Sequence, residues 1–172
     1  MECVNFILIQ RQEIEMAVKK HYFPEDATQP QPLTVVTERR VRFEEVDSLG
    51  MVWHGRYPSY FEDGRIAIGD AYGLSYQTFM DNKIAAPIVQ MHLDYKSPLR
   101  FDEIMVIETT LHWTDAAKLN YSYLITNKNG VHVTSGYTVQ LFTAVNGTVM
   151  LVIPEWLEEF RRKWQEGWWS KR

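Results

Sequence analysis

The most extended helical pattern in the chain spans residues 57–72, where apolar or small residues recur every three or four positions. Pro58 fits the first turn of this helix, and Gly73 fits the position just after its end. Gly64 lowers helix propensity but lets another layer approach closely. We therefore predict a central helix that is buried against a sheet.

A period of two, typical of strands, replaces this pattern after Ile84. Apolar residues alternate with polar ones in three segments, 105–113, 119–125 and 131–141. The dipeptides Asn129-Gly130 and Asn146-Gly147 follow strands and favour two-residue type I′ hairpin turns. One more strand is expected over 34–43, before the helix. The pattern predicts an α+β domain, with an antiparallel sheet around one long helix.

Residues 1–33 are predicted to form a loosely attached amino-terminal arm. Ile14, Val18 and Tyr22 suit a short helix, and the stretch from Pro24 to Pro32 ends it. Residues 34–172 then form the folded domain. Its last helix begins at Pro154, with Trp156, Phe160 and Trp164 on one face.

Composition and charge narrow the functional classes. Of 172 residues, 45% are hydrophobic and 13% aromatic, as expected for a folded domain. The formal net charge of −4 gives no general attraction for nucleic acid. Apolar runs are too short for a membrane helix, and Glu2 lies where a signal peptide carries positive charge. We expect a cytoplasmic protein without a membrane or nucleic-acid partner.

Common cofactor and metal motifs are missing from the sequence. The five histidines lack the spacing of a zinc or iron site, and the single cysteine, Cys3, cannot complete one. Serine-hydrolase, P-loop and dinucleotide motifs are also absent. We therefore expect neither a metal nor an organic cofactor.

The remaining chemical signal is one continuous segment, VRFEEVDSLGMVWHGRYPSYFEDGR, at residues 41–65. It resembles the opening of hotdog-fold acyl-CoA thioesterases of the 4-hydroxybenzoyl-CoA thioesterase type. In that family an acid is followed three residues later by a glycine, and four residues after that by an aromatic residue or a histidine at the helix start. Asp47, Gly50 and His54 match this pattern. Residues 93–103 also resemble the family, and the likeness extends over about 36–163.

The resemblance implies a hotdog fold, in which a curved antiparallel sheet wraps around one long helix. It implies hydrolysis of an acyl-CoA to a free acid and CoA, in a homodimer or tetramer with sites between subunits. Asp47 and His54 would be catalytic, the histidine through its backbone N–H. The matching substrate-binding positions are Gly50, Val52, Trp53, Tyr57 and Glu62.

The chemistry of these residue types agrees with such a role. An Asp carboxylate is ionised at neutral pH, so Asp47 can act as a nucleophile or as a general base, and the sequence does not separate the two. Backbone N–H groups at a helix start stabilise a developing oxyanion. Glu62 could instead pair with Arg65.

Two rival functions use the same fold. A dehydratase acting on 3-hydroxyacyl thioesters would need a histidine and a carboxylate, for which His54 and Glu62 are available, but its phenylalanine-proline-glycine loop is missing. A non-catalytic acyl-CoA binding module would have no need for Asp47.

Overall fold

A five-stranded antiparallel sheet and one helix packed against it make up the centre of the protein. The computed structural model describes residues 22–23 and 26–169. The helix, α1, is Tyr57–Tyr72, and the sheet order is β1-β4-β5-β6-β3. The strands are β1 Leu33–Arg40, β3 Ile88–Tyr95, β4 Ile104–His112, β5 Lys118–Asn127 and β6 His132–Leu141. This arrangement confirms the predicted α+β class.

Helix α1 has the predicted limits and the predicted close approach to the sheet. Pro58 lies in its first turn, and Gly73 ends it with φ at 82°. Its buried face, which includes Tyr60, Phe61 and Ile68, packs against β1, β4 and β5 of the sheet. At Gly64 an added Cβ would lie 2.0 Å from the Thr109 hydroxyl of β4, so only glycine permits this distance.

The two Asn-Gly hairpins differ from the predicted type I′ turns. In the first, Gly130 N–H donates to the Asn127 carbonyl at 2.9 Å, so the central turn residues are Lys128 and Asn129. Among the described residues only Lys83 and Asp102 combine a side chain with positive φ, which rules out type I′ at Asn129. Gly130 is the third residue of a three-residue loop and takes the left-handed conformation there, as Gly147 does in the second hairpin.

Smaller elements extend the fold beyond the sheet. Helix α2, Tyr76–Asp81, follows α1, and the short strands β2 Ile84–Ala85 and β7 Thr143–Ala144 pair with each other. The last helix, α3, is Glu155–Gln165, and it buries Leu157, Phe160 and Trp164. Trp156, predicted on the same face, is partly buried and packs against the core, with its ring 5.3 Å from that of Phe79. No helix in the described ranges is long and apolar enough to cross a membrane.

Of the predicted amino-terminal arm, the structure describes Tyr22, Phe23 and residues from 26 onward. The Tyr22 hydroxyl donates to Asp94 of β3 at 2.7 Å, and the Phe23 ring lies 5.0 Å from the ring of His112. These contacts are with the sheet face opposite α1. The predicted helix at Ile14 and Val18, and Cys3, lie outside the described residues.

Candidate active site

Asp47 lies at the tip of a tight hairpin that precedes α1. Its N–H donates to the Met51 carbonyl at 2.7 Å, and the Gly50 N–H returns a hydrogen bond to the Asp47 carbonyl at 3.0 Å. Gly50 has φ at 71°, a left-handed conformation that explains the glycine there. The next pair of residues along the hairpin, Val46 and Val52, also bridge. Gly50 thus shapes the turn that presents Asp47.

The Asp47 carboxylate is exposed, and backbone groups orient it. Oδ1 accepts the N–H of Leu49 at 2.8 Å and that of Met51 at 3.2 Å. Oδ2 accepts no hydrogen bond from the described residues. The side chain therefore has one oxygen held by the turn and one available to a ligand.

The opposite strand of this hairpin leads directly to the start of α1. The Trp53 N–H donates to the Glu45 carbonyl at 2.9 Å, and His54–Arg56 then form one 3-10 turn before the helix. Initial N–H groups of a helix have no intrahelical acceptor. Asp47, which pairs with Met51, and the His54 N–H, three residues after Met51, therefore belong to the same hairpin.

Side chains around the helix start form an aromatic surface. The Trp53 indole is half exposed and lies over Gly55, where an added Cβ would approach the ring to 2.2 Å. The ring centroids of Trp53 and His54 are 5.0 Å apart. The His54 carbonyl accepts the Tyr95 hydroxyl at 3.0 Å, which ties the helix start to the end of β3.

Two of the predicted binding residues are buried. Val52 is 7% exposed, and its N–H donates to the Leu99 carbonyl at 2.9 Å. Tyr57 is 3% exposed and packs edge-on against the rings of Tyr60 and Tyr95. Both support the walls of the site, and their contact with a substrate stays a prediction.

Glu62 lies one turn further along α1 and does not pair with Arg65. Its Oε1 accepts the hydroxyl of Tyr76, from α2, at 2.8 Å. Arg65 instead donates to the Tyr123 hydroxyl at 3.3 Å. Glu62 is exposed, so its carboxylate remains accessible at the junction of α1 and α2.

A charged network under the hairpin was not foreseen. Arg39 of β1 binds both Glu45 and Asp63, and its guanidinium lies 4.9 Å from the centre of the Tyr60 ring. Glu45 is only 3% exposed, and its second oxygen accepts the Arg42 N–H at 2.8 Å. Burial and the neighbouring Glu45 charge raise the pKa of Tyr60 well above its usual value. The network joins β1, the hairpin and α1.

One signal in the sequence could have revealed this network. Alternation along β1 puts Arg39 on the side that faces α1, together with Val35 and Thr37. A charge on the buried side of a strand requires a partner. Its partners, however, are 6 and 24 residues away, and local pattern does not identify them.

Comparison with known proteins identifies the family. A sequence profile of the Thioesterase-like superfamily matches residues 41–161. The chain belongs to this superfamily. This stretch includes Asp47, His54 and all of α1. Membership, together with relatives named as acyl-CoA thioesterases, identifies the chain as a thioester hydrolase.

Individual relatives agree with this assignment. The acyl-CoA thioesterase candidate YneP of Bacillus subtilis is 32% identical over 54% of this chain and 67% of its own length. A hypothetical protein, TT1821, from Thermus thermophilus has a TM-score of 0.68 at 26% identity, over 75% of this chain and 98% of that one. A DHNA-CoA thioesterase from Staphylococcus aureus has a TM-score of 0.70 at 24% identity, over 81% and 95% respectively. The last of these shows the shared hotdog fold only.

Proposed function

We propose that this thioester hydrolase cleaves an acyl-CoA to a carboxylate and CoA, with Asp47 as the reacting carboxylate and the His54 N–H as oxyanion donor. The observation that carries the proposal is the single hairpin that holds both groups, with Oδ1 of Asp47 fixed and Oδ2 available. The name of YneP, an acyl-CoA thioesterase candidate, supports a CoA thioester as the substrate class.

The reaction has two possible courses. As a nucleophile, Asp47 Oδ2 attacks the thioester carbon, the C–S bond breaks, and water then hydrolyses the resulting anhydride. As a general base, Asp47 takes a proton from water while the water oxygen forms the new C–O bond, and the leaving thiolate receives a proton. In both courses the carbonyl oxygen gains negative charge, which the helix-start N–H groups and the helix dipole stabilise.

The test is thiol release from a panel of short, long and aromatic acyl-CoA esters, compared between the native chain and Asp47→Asn. Asparagine keeps an Oδ1 acceptor for the Leu49 and Met51 N–H groups, so the hairpin should persist. Loss of general-base function costs about 10²- to 10⁴-fold, and we expect kcat to fall by at least that factor while substrate still binds.

Two outcomes would contradict the proposal. A folded Asp47→Asn variant within about threefold of native activity would make Asp47 a turn residue only. Tight acyl-CoA binding without any thiol release would favour the non-catalytic binding module. With an active enzyme, single turnover in ¹⁸O-water separates the two courses, because label enters the Asp47 carboxylate only if that group attacks.

Self-association is the second part of the proposal. Strand β3 is an edge of the sheet, and it exposes apolar side chains, among them Val89 and Met91. Such edges invite pairing with another chain. Since an isologous pair of identical edges closes into a dimer, we propose that two copies join through β3.

A further inference from the structure

The protein contains a large apolar cavity further along α1 than the Asp47 hairpin. It measures about 840 Å³ and lies between α1, α2 and the β2–β7 pair. Most of its lining is apolar, including Ile66, Leu74, Phe79 and Ile84. Its size is that of a small-molecule site, and such sites combine apolar walls with a few polar groups.

Two hydrogen-bond donors at this cavity, on Arg65 and Tyr121, bond to no carboxylate among the described residues. Arg65 forms no ion pair with any described residue, and its guanidinium interacts with two neutral hydroxyls, that of Tyr123 at 3.3 Å and that of Tyr76. Tyr121 is 3% exposed, and its hydroxyl bonds to no other described residue. Burial raises the pKa of Tyr121, so this hydroxyl keeps its proton. The site therefore offers one fixed cation and one neutral O–H donor.

A cation and an O–H donor that face one cavity favour an anionic oxygen ligand. Both residues line the cavity, and a guanidinium that has only neutral partners gains a charge-assisted hydrogen bond from an anionic acceptor. A carboxylate accepts two parallel bonds from the Arg guanidinium and can also accept a phenol O–H. Two acids lie close to this site, Asp70 in the cavity lining and Glu62 beside it. Both are exposed, so solvent screens their charges, and Glu62 already accepts the Tyr76 hydroxyl.

The cavity and the helix start lie on one continuous face of α1. Glu62, Ile66 and Asp70 are spaced four residues apart and share this face. Tyr76 lines the cavity and its hydroxyl donates to Glu62, so one side chain connects the cavity wall to the turn of α1 that contains Glu62. From Tyr57 to Arg65 the helix rises about 12 Å, a span that an acyl chain of medium length covers.

We propose that this cavity holds the acyl group of the substrate, and that Arg65 and Tyr121 bind a carboxylate at its far end. The inference rests on the proposed thioester hydrolysis. It narrows the substrate class to medium-chain thioesters of dicarboxylic acids, in which one end forms the thioester and the other remains ionised. A plain alkyl end would leave Arg65 without a counterion.

The first experiment compares matched pairs of substrates that differ only at the far end. Suberoyl-CoA is set against octanoyl-CoA, and sebacoyl-CoA against decanoyl-CoA, with kcat/KM from thiol release. Because hydrogen bonds to charged groups contribute about 10- to 100-fold, we expect the dicarboxylic member to be preferred by that factor. Equal rates, or a preference for the plain chains, would overturn the inference.

Single substitutions then test whether Arg65 and Tyr121 cause the preference for dicarboxylic substrates. Arg65→Met keeps an unbranched apolar stem without the charged guanidinium and should abolish the preference, whereas Tyr121→Phe should reduce it. Arg162→Met is the matched control, because Arg162 lies on α3 and pairs with Glu159 and Glu166. A preference unchanged in Arg65→Met would assign the selectivity elsewhere and overturn the role of Arg65.

A binding measurement separates this inference from the proposed function. Titration calorimetry with free sebacate and free decanoate needs no catalysis, and we expect sebacate to bind the native chain and to lose affinity in Arg65→Met. Sebacate binding that depends on Arg65, in a chain that releases no thiol, would support the site and contradict the thioesterase. Thiol release without any such binding, and without the substrate preference, would contradict the site alone.

Discussion

At the scale of single residues, Gly64 decides how closely α1 approaches the sheet. An alanine there would gain up to about 1 kcal/mol in helix propensity. Its Cβ would, however, lie 2.0 Å from the Thr109 hydroxyl and 3.1 Å from the Thr109 Cβ. Forcing an extra carbon into a packed core costs about 1–3 kcal/mol, so the clash outweighs the gain.

We therefore predict that Gly64→Ala lowers the thermal midpoint by a few degrees, as about 1 kcal/mol does in a domain of this size. Thr109→Ala removes the clashing hydroxyl, which has no hydrogen-bond partner among the described residues. Calorimetry should show that the double variant recovers part of the loss. A Gly64→Ala variant as stable as the native chain would show that helix and sheet can separate freely here.

His132 gives the protein a pH dependence of stability. Its Nε2 is buried without a hydrogen bond in the described chain, and burial, together with the Lys96 charge, lowers the pKa of His132. The unfolded chain, with a His pKa of about 6.5, binds the proton more readily. Stability should therefore fall as the pH drops below about 6.5 and level off once folded His132 is protonated.

Urea unfolding between about pH 5 and pH 8 measures this dependence. His132→Gln, which does not titrate, should flatten the slope below pH ~6.5. His54→Gln serves as the control, because His54 is exposed and removing it should leave that slope in place. An unchanged slope in His132→Gln would assign the effect to another group.

At the scale of elements, the Arg39 network connects the hairpin that carries Asp47 to β1 and α1. Glu45 contributes in two ways, since its side chain binds Arg39 and its carbonyl accepts the Trp53 N–H. Removing one member of a buried ion pair costs about 3–5 kcal/mol, less where the remaining charge keeps another partner, as Arg39 keeps Asp63. The hairpin is therefore held by long-range contacts.

We predict that Glu45→Gln destabilises the protein and also lowers kcat more than it raises KM, because the reacting carboxylate loses its support. Glu44→Gln is the matched control, since Glu44 is adjacent but 61% exposed. Thiol-release kinetics and urea unfolding measure both effects. Native kcat in a Glu45→Gln variant that remains folded would limit the network to a structural role.

The sequence predicted those features that depend on residues close together along the chain. The limits of α1 follow from Pro58, Gly73 and the apolar spacing between them, and the structure confirms them. The Asn-Gly dipeptides correctly predicted the positions of two hairpins. The turn type was wrong, because it depends on which residues of the two strands pair. That pairing gives each hairpin a three-residue loop with glycine in the left-handed conformation. The contacts of Arg39 with Glu45, and of Glu62 with Tyr76, join separate elements, and periodicity does not report such pairs.

At the scale of the whole molecule, assembly through β3 is the remaining structural prediction. Met91 is 37% exposed on this edge, and a lysine there would put two like charges into the proposed joint. We expect Met91→Lys to shift the protein from dimer to monomer in sedimentation analysis. Val36→Lys on the opposite edge strand, β1, is the control, because Val36 is also exposed, at 50%, yet lies outside the proposed joint.

Activity should follow the assembly state, because the family resemblance implies sites between subunits. Thiol release by Met91→Lys should therefore rise with protein concentration as the variant reassociates, whereas Val36→Lys should keep a constant specific activity. A native chain that sediments as a monomer at assay concentration with full activity would contradict the dimer. A Met91→Lys variant that is monomeric and fully active would support β3 as the dimer contact, but it would show that one subunit contains the whole active site.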